Sequence, residues 1–474
     1  MQVIKKNARI KIKIQDIVYG GNGIHKNSKN DPVIFVKNGI KGQTVLAEIT
    51  KVKPSYAEAK IINVIVKSPL QKKRIYQKIS GAPYFEIDIE HQRNMKTQLV
   101  FDVFKKIAGI QNIENYFETL IKSPKTWHYR NKMEYAFSSI IYDKIKQRDI
   151  DDFGLGFKKA NTWWMVENLD KESGLFDKQW EDSIIRIREF CQKSKLPAWN
   201  IPQKKGFFRN LNVRKSYYEN KLLIELVTSS EGLNNFKIHD FVDFVLSIHG
   251  KKIAGIIHTI NDNISDRIDY NKTTSKVVYG KNKINEKIID LNFEISMSSF
   301  FQTNPICAEK LYEKVIDYSK IESCENSIIL DLFCGTGTIT QLIASSNKKN
   351  QVIGVDIVES AIRNAKQSAK KNNIKNSNFY ALDINKFLIS KPHLTNKIQT
   401  IIVDPPRPGI SKKSLKKIIE LNSKKIIYVS CNPSTQARDI KILMENGYEI
   451  DQFSIADQFP HTHHIETIFA LNKG

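Results

Sequence analysis

The residues best suited to covalent chemistry in this 474-residue chain sit in its last third, each where an apolar run ends. Tyr428-Val429-Ser430-Cys431-Asn432-Pro433-Ser434 carries a strand straight into a cysteine. A thiol close to a helix N-terminus has its thiolate form favoured, and Ser434 is placed to cap the helix that follows. Asp404-Pro405-Pro406-Arg407-Pro408-Gly409 ends another run, and its prolines impose a rigid, donor-poor backbone that suits a site better than a plain turn. Phe459-Pro460-His461-Thr462-His463-His464-Ile465-Glu466-Thr467 adds a carboxylate and three imidazoles. Read as a strand, it puts His461 and His463 on one face and His464 and Glu466 on the other, so no shared metal is expected. Glu466 as a proton acceptor is the sharper reading.

A fourth strand end, Asp331-Leu332-Phe333-Cys334-Gly335-Thr336-Gly337-Thr338, has two glycines that let a ligand approach the backbone. The third glycine of the dinucleotide fingerprint is missing. About twenty residues on, Asp356 ends the next run, where an acid can take both hydroxyls of a ribose. Asp331 just before the glycines suits a cationic ligand better than a pyrophosphate. S-adenosylmethionine, with its sulfonium and amino groups, fits both features.

These parts compose one reaction. Carbon 5 of a uracil is too weak a nucleophile to take a methyl group unaided. Addition of a thiolate at carbon 6 turns the ring into an enolate and gives carbon 5 carbanion character. After methylation the carbon-5 proton passes to a base and the thiol is expelled. Cys431, Glu466 and the Asp331/Asp356 pocket would supply nucleophile, base and donor site. Methyltransferases acting on exocyclic nitrogen carry an aromatic residue after Pro-Pro, and Arg407 argues against that acceptor. Cytosine is disfavoured because Glu466 as base, without a Pro-Cys pair, suits uracil. Stacking hides carbon 6, so the target base must be unpaired or flipped.

The elements that position these groups follow from periodicity. In the segment 291–474, short apolar runs (Ser327 to Phe333, Gln351 to Val355, Ile398 to Val403, Lys425 to Val429) alternate with helical stretches such as Glu359 to Lys371 and Ser434 to Glu445. That alternation predicts a parallel α/β sheet with ligands at the carboxyl ends of its strands. Residues 1–67 read as a small OB-like β-barrel: Arg9 to Ile14 alternates strictly, Gly20-Gly21-Asn22-Gly23 and Asn38-Gly39 are turns, and short strands follow. A basic linker, Ser68 to Arg74, leads to a mixed α+β segment, 74–290. There Met95 to Ile107 predicts a helix with Leu99, Val103 and Ile107 on one stripe. Leu222 to Val227 and Ile253 to Thr259 read as strands. Trp127, His128, Tyr129, Arg130 and Lys132 could stack bases and pair phosphates, although an aromatic cluster is more often core.

The formal net charge of +24 favours a polyanionic partner, while the Lys/Asn/Ile-rich composition also makes many surface lysines merely solvated. No apolar run reaches spanning length and no signal peptide follows Met1, so a cytoplasmic protein without a membrane partner is expected. The five cysteines (Cys191, Cys307, Cys324, Cys334, Cys431) lack CxxC spacing, which disfavours a disulfide framework or zinc ribbon.

Taken together, Phe300-Phe301-Gln302-Thr303-Asn304, Asp331 to Gly337, Asp404 to Arg407, Ser430 to Pro433 and His461 to Glu466 resemble the RNA uracil-5-methyltransferases. Trp127 to Glu134 is similar to that family's central-domain motif, and the N-terminal segment resembles a TRAM domain, found in the branch acting on 23S ribosomal RNA. The resemblance implies a Rossmann-like methyltransferase domain after a central α+β domain and the barrel. It implies that Gln302, Phe333, Asp356, Asp383 and Asp404 contact S-adenosylmethionine, with Cys431 as nucleophile and Glu466 as proton acceptor. Thr338 stands where many members have Asn. Many ribosomal-RNA members hold a [4Fe-4S] cluster, but here the matching positions are Arg74, Ser80-Gly81-Ala82-Pro83 and Glu172-Ser173-Gly174-Leu175. Ligation needs thiolates, so no cluster is expected and packing alone would hold that region. The resulting expectation is a methyltransferase for a uridine of 23S ribosomal RNA with no inferred protein partner. The alternatives are a transfer-RNA uracil-5-methyltransferase, against which the barrel speaks, and a catalytically idle RNA-binding or assembly factor, against which the complete Cys/Glu/Asp set speaks.

Overall fold

The computed structural model describes residues 4–18, 20–28, 31–143, 145–146, 148–160, 162–265, 268–320, 326–394 and 396–474; Cys324 lies outside them. The chain forms two compact units, one of Met1–Ile75, Ala82–Ser123 and Ile402–Gly474, the other of Tyr76–Gly81 and Pro124–Ile401. The strand Ile398–Val403 carries the chain from the second unit into the first.

In the first unit the N-terminal strands form a six-stranded sheet, in the order Arg9–Lys13, Thr44–Val52, Tyr56–Val66, Val33–Lys37, Asn22–His25, Asp16–Val18. Strict alternation sends Ile12, Ile34, Val36, Val45, Ala47 and Ile49 into one core and leaves the lysines outside. The glycine turn is shorter than its sequence, because Asn22 and Gly23 already belong to a strand. The unit's second sheet pairs Lys425–Ser430 antiparallel with Glu466–Lys473, which pairs antiparallel with Tyr448–Asp457. Tyr448–Asp457 pairs in turn, in parallel, with Phe117–Lys122. Phe453, Phe469 and Phe104 stack against this sheet, with centroids 4.4 Å apart for Phe453–Phe469 and 4.5 Å for Phe104–Phe469.

The helix expected at Met95 to Ile107 runs from Ile89 to Val103 and ends in a π-turn, Phe104–Ala108. Of the predicted stripe, only Val103 lies on the buried face. Ile107 is 40% exposed, whereas Gln92, Arg93, Lys96, Val100, Phe101 and Val103 are buried. Apolar periodicity could not show this, because polar side chains occupy half of the buried face. Lys96 Nζ stands 2.6 Å from Asp457 Oδ1 and Arg93 Nε 3.2 Å from Asp457 Oδ2, with Asp457 fully buried. A buried carboxylate persists only when paired in this way.

The second unit holds a seven-stranded sheet built from residues 132–280, whose strands include Lys221–Thr228 and Ile253–Ile260 as expected. It also holds three parallel strands in the order Ser377–Ala381, Gln351–Asp356, Ile328–Leu332. Helices Thr338–Ser346 and Glu359–Lys371 alternate with them. The aromatic-basic cluster divides: Tyr129 is fully buried, while the Trp127 ring packs 4.6 Å from Tyr76.

Candidate active site

In the first unit, Cys431 follows the strand Lys425–Ser430 directly and precedes the helix Pro433–Glu445. The cap of that helix is Asn432 rather than Ser434: its side chain accepts from Ser434 N, and Pro433 fills the first turn, where a missing N–H costs nothing. Asn432 also donates from Nδ2 to the Arg407 carbonyl (2.9 Å), to which Thr435 Oγ1 donates as well (3.2 Å). The proline-rich loop is thereby tied to the cysteine's turn. Asp439 holds the loop's far end, accepting from Ile410 N and Tyr428 OH at 2.9 and 2.7 Å.

Glu466 begins the strand beside Lys425–Ser430 and is 6% exposed. The five residues before it are not strand, and His461 adopts a left-handed backbone, φ 67°. The alternation expected for the histidines therefore fails, and the His463 and His464 rings face each other at 4.3 Å instead of pointing to opposite faces. The sequence pattern could not distinguish a polar turn from a polar strand. Among the described residues, no three His, Cys, Asp or Glu gather so as to hold a metal ion.

The acids crowd one another. Burial, with the Glu466 and Asp404 carboxylates nearby, pushes the Cys431 thiol up to about 11, against an opposing pull from Arg407. The expectation of a favoured thiolate is thus corrected for the free protein: burial and two anions outweigh the helix terminus. Burial also raises Asp404 to about 7 and, with Asp404's charge, lifts Glu466 well above the carboxylate range. Asp404 keeps some accessible surface as a residue, but its carboxyl group is packed round by protein, and that surrounding sets the cost of its charge. Arg407 is the counter-charge for both Cys431 and Glu466, a role its position after Pro-Pro did not announce.

In the second unit, Phe333 (φ 66°), Gly335 (φ 54°) and Gly337 (φ 72°) all take left-handed backbone in the loop after Ile328–Leu332. Gly337 is required twice over, since a Cβ there would lie 2.5 Å from the Phe379 ring. Asp356 accepts from Gly335 N (3.0 Å) through one oxygen and from Val358 N (2.8 Å) through the other, which fixes the carboxylate and leaves lone pairs for a ribose. Next to it Ile357 is 70% exposed, an apolar surface that an adenine ring would cover. Asp383 caps the helix Ile384–Ser390 by accepting from Lys386 N. Asp331 does not offer itself to a cation: it is fully buried and accepts from Thr340 Oγ1 at 2.5 Å. Thr338 is buried as the first residue of its helix. The backbone of Gln302 and Thr303 is held by Asn131, whose Nδ2 donates to Gln302 O and whose N–H donates to Thr303 O. These residues fit an adenosine-type ligand.

The residues at the cluster positions do not fit an iron–sulfur group, since none carries a thiol. Packing alone does not replace it. Ser80 Oγ donates to Glu167 and accepts from Ala160 N, while Gln77 Oε1 accepts from Asp170 N and Lys171 N. Ser173 gives both its N–H and its hydroxyl to Glu181.

The family model described as tRNA (uracil-5-)-methyltransferase matches residues 257–474. An RNA methyltransferase of Clostridium acetobutylicum is 35% identical over 100% of this chain and 99% of its own. One of Caldanaerobacter subterraneus is 33% identical over 99% of this chain and 100% of its own. The crystal structure of the Pyrococcus abyssi tRNA (uracil-54, C5)-methyltransferase, in complex with S-adenosyl-L-homocysteine, matches with a TM-score of 0.71 and 27% identity over 98% of this chain and 100% of that one. That likeness covers 98% of this chain and so includes the N-terminal β-sheet expected as a barrel. The barrel therefore does not separate ribosomal-RNA from transfer-RNA enzymes. Among the described residues no helix is long and apolar enough to cross a membrane. The chain belongs to the S-adenosylmethionine-dependent RNA uracil-5-methyltransferase family.

Proposed function

We propose that the protein methylates carbon 5 of a uridine in 23S ribosomal RNA, with Cys431 as nucleophile and Glu466 as the base that removes the carbon-5 proton. The observation carrying this reading is the grouping of Cys431, Glu466, Asp404 and Arg407: Asp404 and Glu466 both raise the thiol's proton affinity, Asp404 raises that of Glu466, and one cation opposes both effects. Groups perturbed together in this way mark functional sites more often than structural ones.

S-adenosylmethionine supplies an electrophilic methyl group on a sulfonium, and Gln302, Phe333, Asp356, Asp383 and Asp404 are the residues proposed to hold it. The Cys431 sulfur adds to carbon 6 of the uracil, and the ring electrons move onto carbon 5 and the carbon-4 oxygen. Carbon 5 forms its new bond to the methyl carbon as the methyl–sulfur bond breaks, its electron pair staying on the sulfur of the departing S-adenosylhomocysteine. Glu466 then takes the carbon-5 proton, the electrons of that C–H bond restore the ring double bond, and the sulfur leaves carbon 6 as thiolate. The free protein keeps Cys431 protonated at neutral pH, so the thiol loses its proton only once substrates reshape the charge around it. Arg407 is the residue that steadies the thiolate.

A net charge of +24 supports a large polyanion as substrate. Transfer RNA is the second reading, favoured by the full-length likeness to the Pyrococcus abyssi enzyme. Mapping 5-methyluridine in both RNAs from cells with and without the protein decides between them. Loss confined to 23S ribosomal RNA supports the proposal, and loss confined to transfer RNA replaces it with the second reading.

A further inference from the structure

We propose that Gln92 is a positioning residue for the Glu466 base, fixing it by anchoring the loop that leads into its strand; the inference rests on the reading of Glu466 as proton acceptor. Glu466 lies at the last rung of a ladder, paired with Ala456 where Tyr448–Asp457 meets Glu466–Lys473. Residues 458–465 connect these two strands. A loop of that length leaves the end of a ladder free to fray unless something outside it holds the tip.

Gln92 supplies that hold with its whole amide. Its Oε1 accepts from His461 N at 2.8 Å. Its Nε2 lies 3.0 Å from His461 Nδ1 and donates to the carbonyls of Tyr84 (3.1 Å) and Ile87 (2.9 Å). Tyr84 N donates to His461 O at 3.0 Å, so the residue at the loop's tip is gripped at its N–H, its carbonyl and its ring. Gln92 is fully buried and His461 is 1% exposed in a left-handed conformation that a β-carbon disfavours. One turn along the same helix, Lys96 holds the loop's start, donating to Asp457 and to the Phe459 carbonyl at 2.6 and 3.1 Å. Polar groups this deeply buried, with partners on several sides, define one loop geometry, whereas an apolar anchor would tolerate several.

The consequence is specific to one step. A displaced carboxylate leaves thiol addition and methyl transfer intact but slows removal of the carbon-5 proton. Until that proton leaves, the C–S bond cannot break, so methylated RNA stays joined to Cys431. A residue that merely supported the fold would reduce every step together.

The test uses the full chain, methyl-labelled S-adenosylmethionine, and ribosomal and transfer RNA isolated from cells lacking the protein. It measures free 5-methyluridine and the label retained on protein in detergent. For Gln92→Met, a base out of place predicts free product down roughly tenfold or more, with label shifting to the protein–RNA adduct as in Glu466→Gln. Unchanged product, or product and adduct falling together while Glu466→Gln still traps adduct, overturns the inference alone. If Gln92→Met loses its thermal transition, His461→Asn is the measured variant: it keeps the left-handed backbone accessible and removes the ring contact. A smaller shift toward adduct supports the inference, and wild-type partition refutes it. Absence of adduct in Glu466→Gln itself, or adduct formed by Cys431→Ala, instead removes the underlying assignment of base and nucleophile.

Discussion

Replacing Glu466 by Gln should make Cys431 more reactive toward a small electrophile while abolishing turnover. In the free protein the thiol titrates at about 11, raised chiefly by burial and next by the Glu466 carboxylate, with Asp404 third and Arg407 opposing. From an ordinary value of 9.0 that is a rise of about two units, or roughly a hundredfold less thiolate at any pH below 9. Burial survives the substitution and the carboxylate does not. The thiol should therefore fall by up to about one unit, and alkylation should quicken by about three- to tenfold where Glu466 is ionised in the wild type. The assay is alkylation of the intact protein by iodoacetamide from pH 7 to 11, with the Cys431 peptide followed by mass spectrometry. Arg407→Gln supplies the opposite sign, because it removes the stabilising cation and slows alkylation. A wild-type Cys431 that titrates below pH 8, or a Glu466→Gln variant alkylated no faster at any pH, would refute the electrostatic reasoning.

Other consequences can be measured on the same protein. Asp404 is held at about 7 against an ordinary 3.8, so its contribution to stability is present in full below pH 4 and is lost as pH rises through 7. Asp404→Asn should flatten urea-derived stability across pH 4–7 by no more than about 4 kcal/mol, and an unchanged slope would contradict the assigned burial. Gly337→Ala combines a left-handed φ of 72° with a Cβ 2.5 Å from Phe379, and should cost about 2–4 kcal/mol and weaken S-adenosylmethionine binding by calorimetry. A variant as stable as wild type would show that the loop relaxes freely. Lys96→Met strips the fully buried Asp457 of its closest cation at 2.6 Å and should destabilise by about 3–5 kcal/mol. Lys96→Met with Asp457→Leu should recover part of that loss, and no recovery would mean the pair acts only through its shape.

The sequence was most legible where chemistry and backbone geometry are local. Asp356 at a strand's carboxyl end, Cys431 between a strand and a helix, and Gly337 in its turn are each dictated by a few neighbours, and the strand ends fell where apolar runs stop. What escaped depends on residues far apart in sequence. The polar buried face of Ile89–Val103 is not announced by apolar periodicity, because His461, which Gln92 grips, and Asp457, which pairs with Lys96, lie more than 360 positions away. The proton affinity of Cys431 escaped for the same reason: a helix N-terminus is visible in sequence, but the carboxylates that override it are brought in by separate strands. The histidines at 461–464 lie in a turn and not in the expected strand, and the sequence does not reveal it because polar residues in a turn alternate no differently from those on an exposed edge.

The central claim is that one sulfur bonds to the pyrimidine. Substrate RNA transcribed with 5-fluorouridine tests it most directly, because a fluorine at carbon 5 cannot be removed as a proton and the adduct stays closed. With S-adenosylmethionine present, the wild-type protein should yield a detergent-stable RNA conjugate whose only modified peptide contains Cys431, with the methyl group retained on the base. Conjugation at another residue, or full methylation of ordinary RNA by Cys431→Ala, would contradict it.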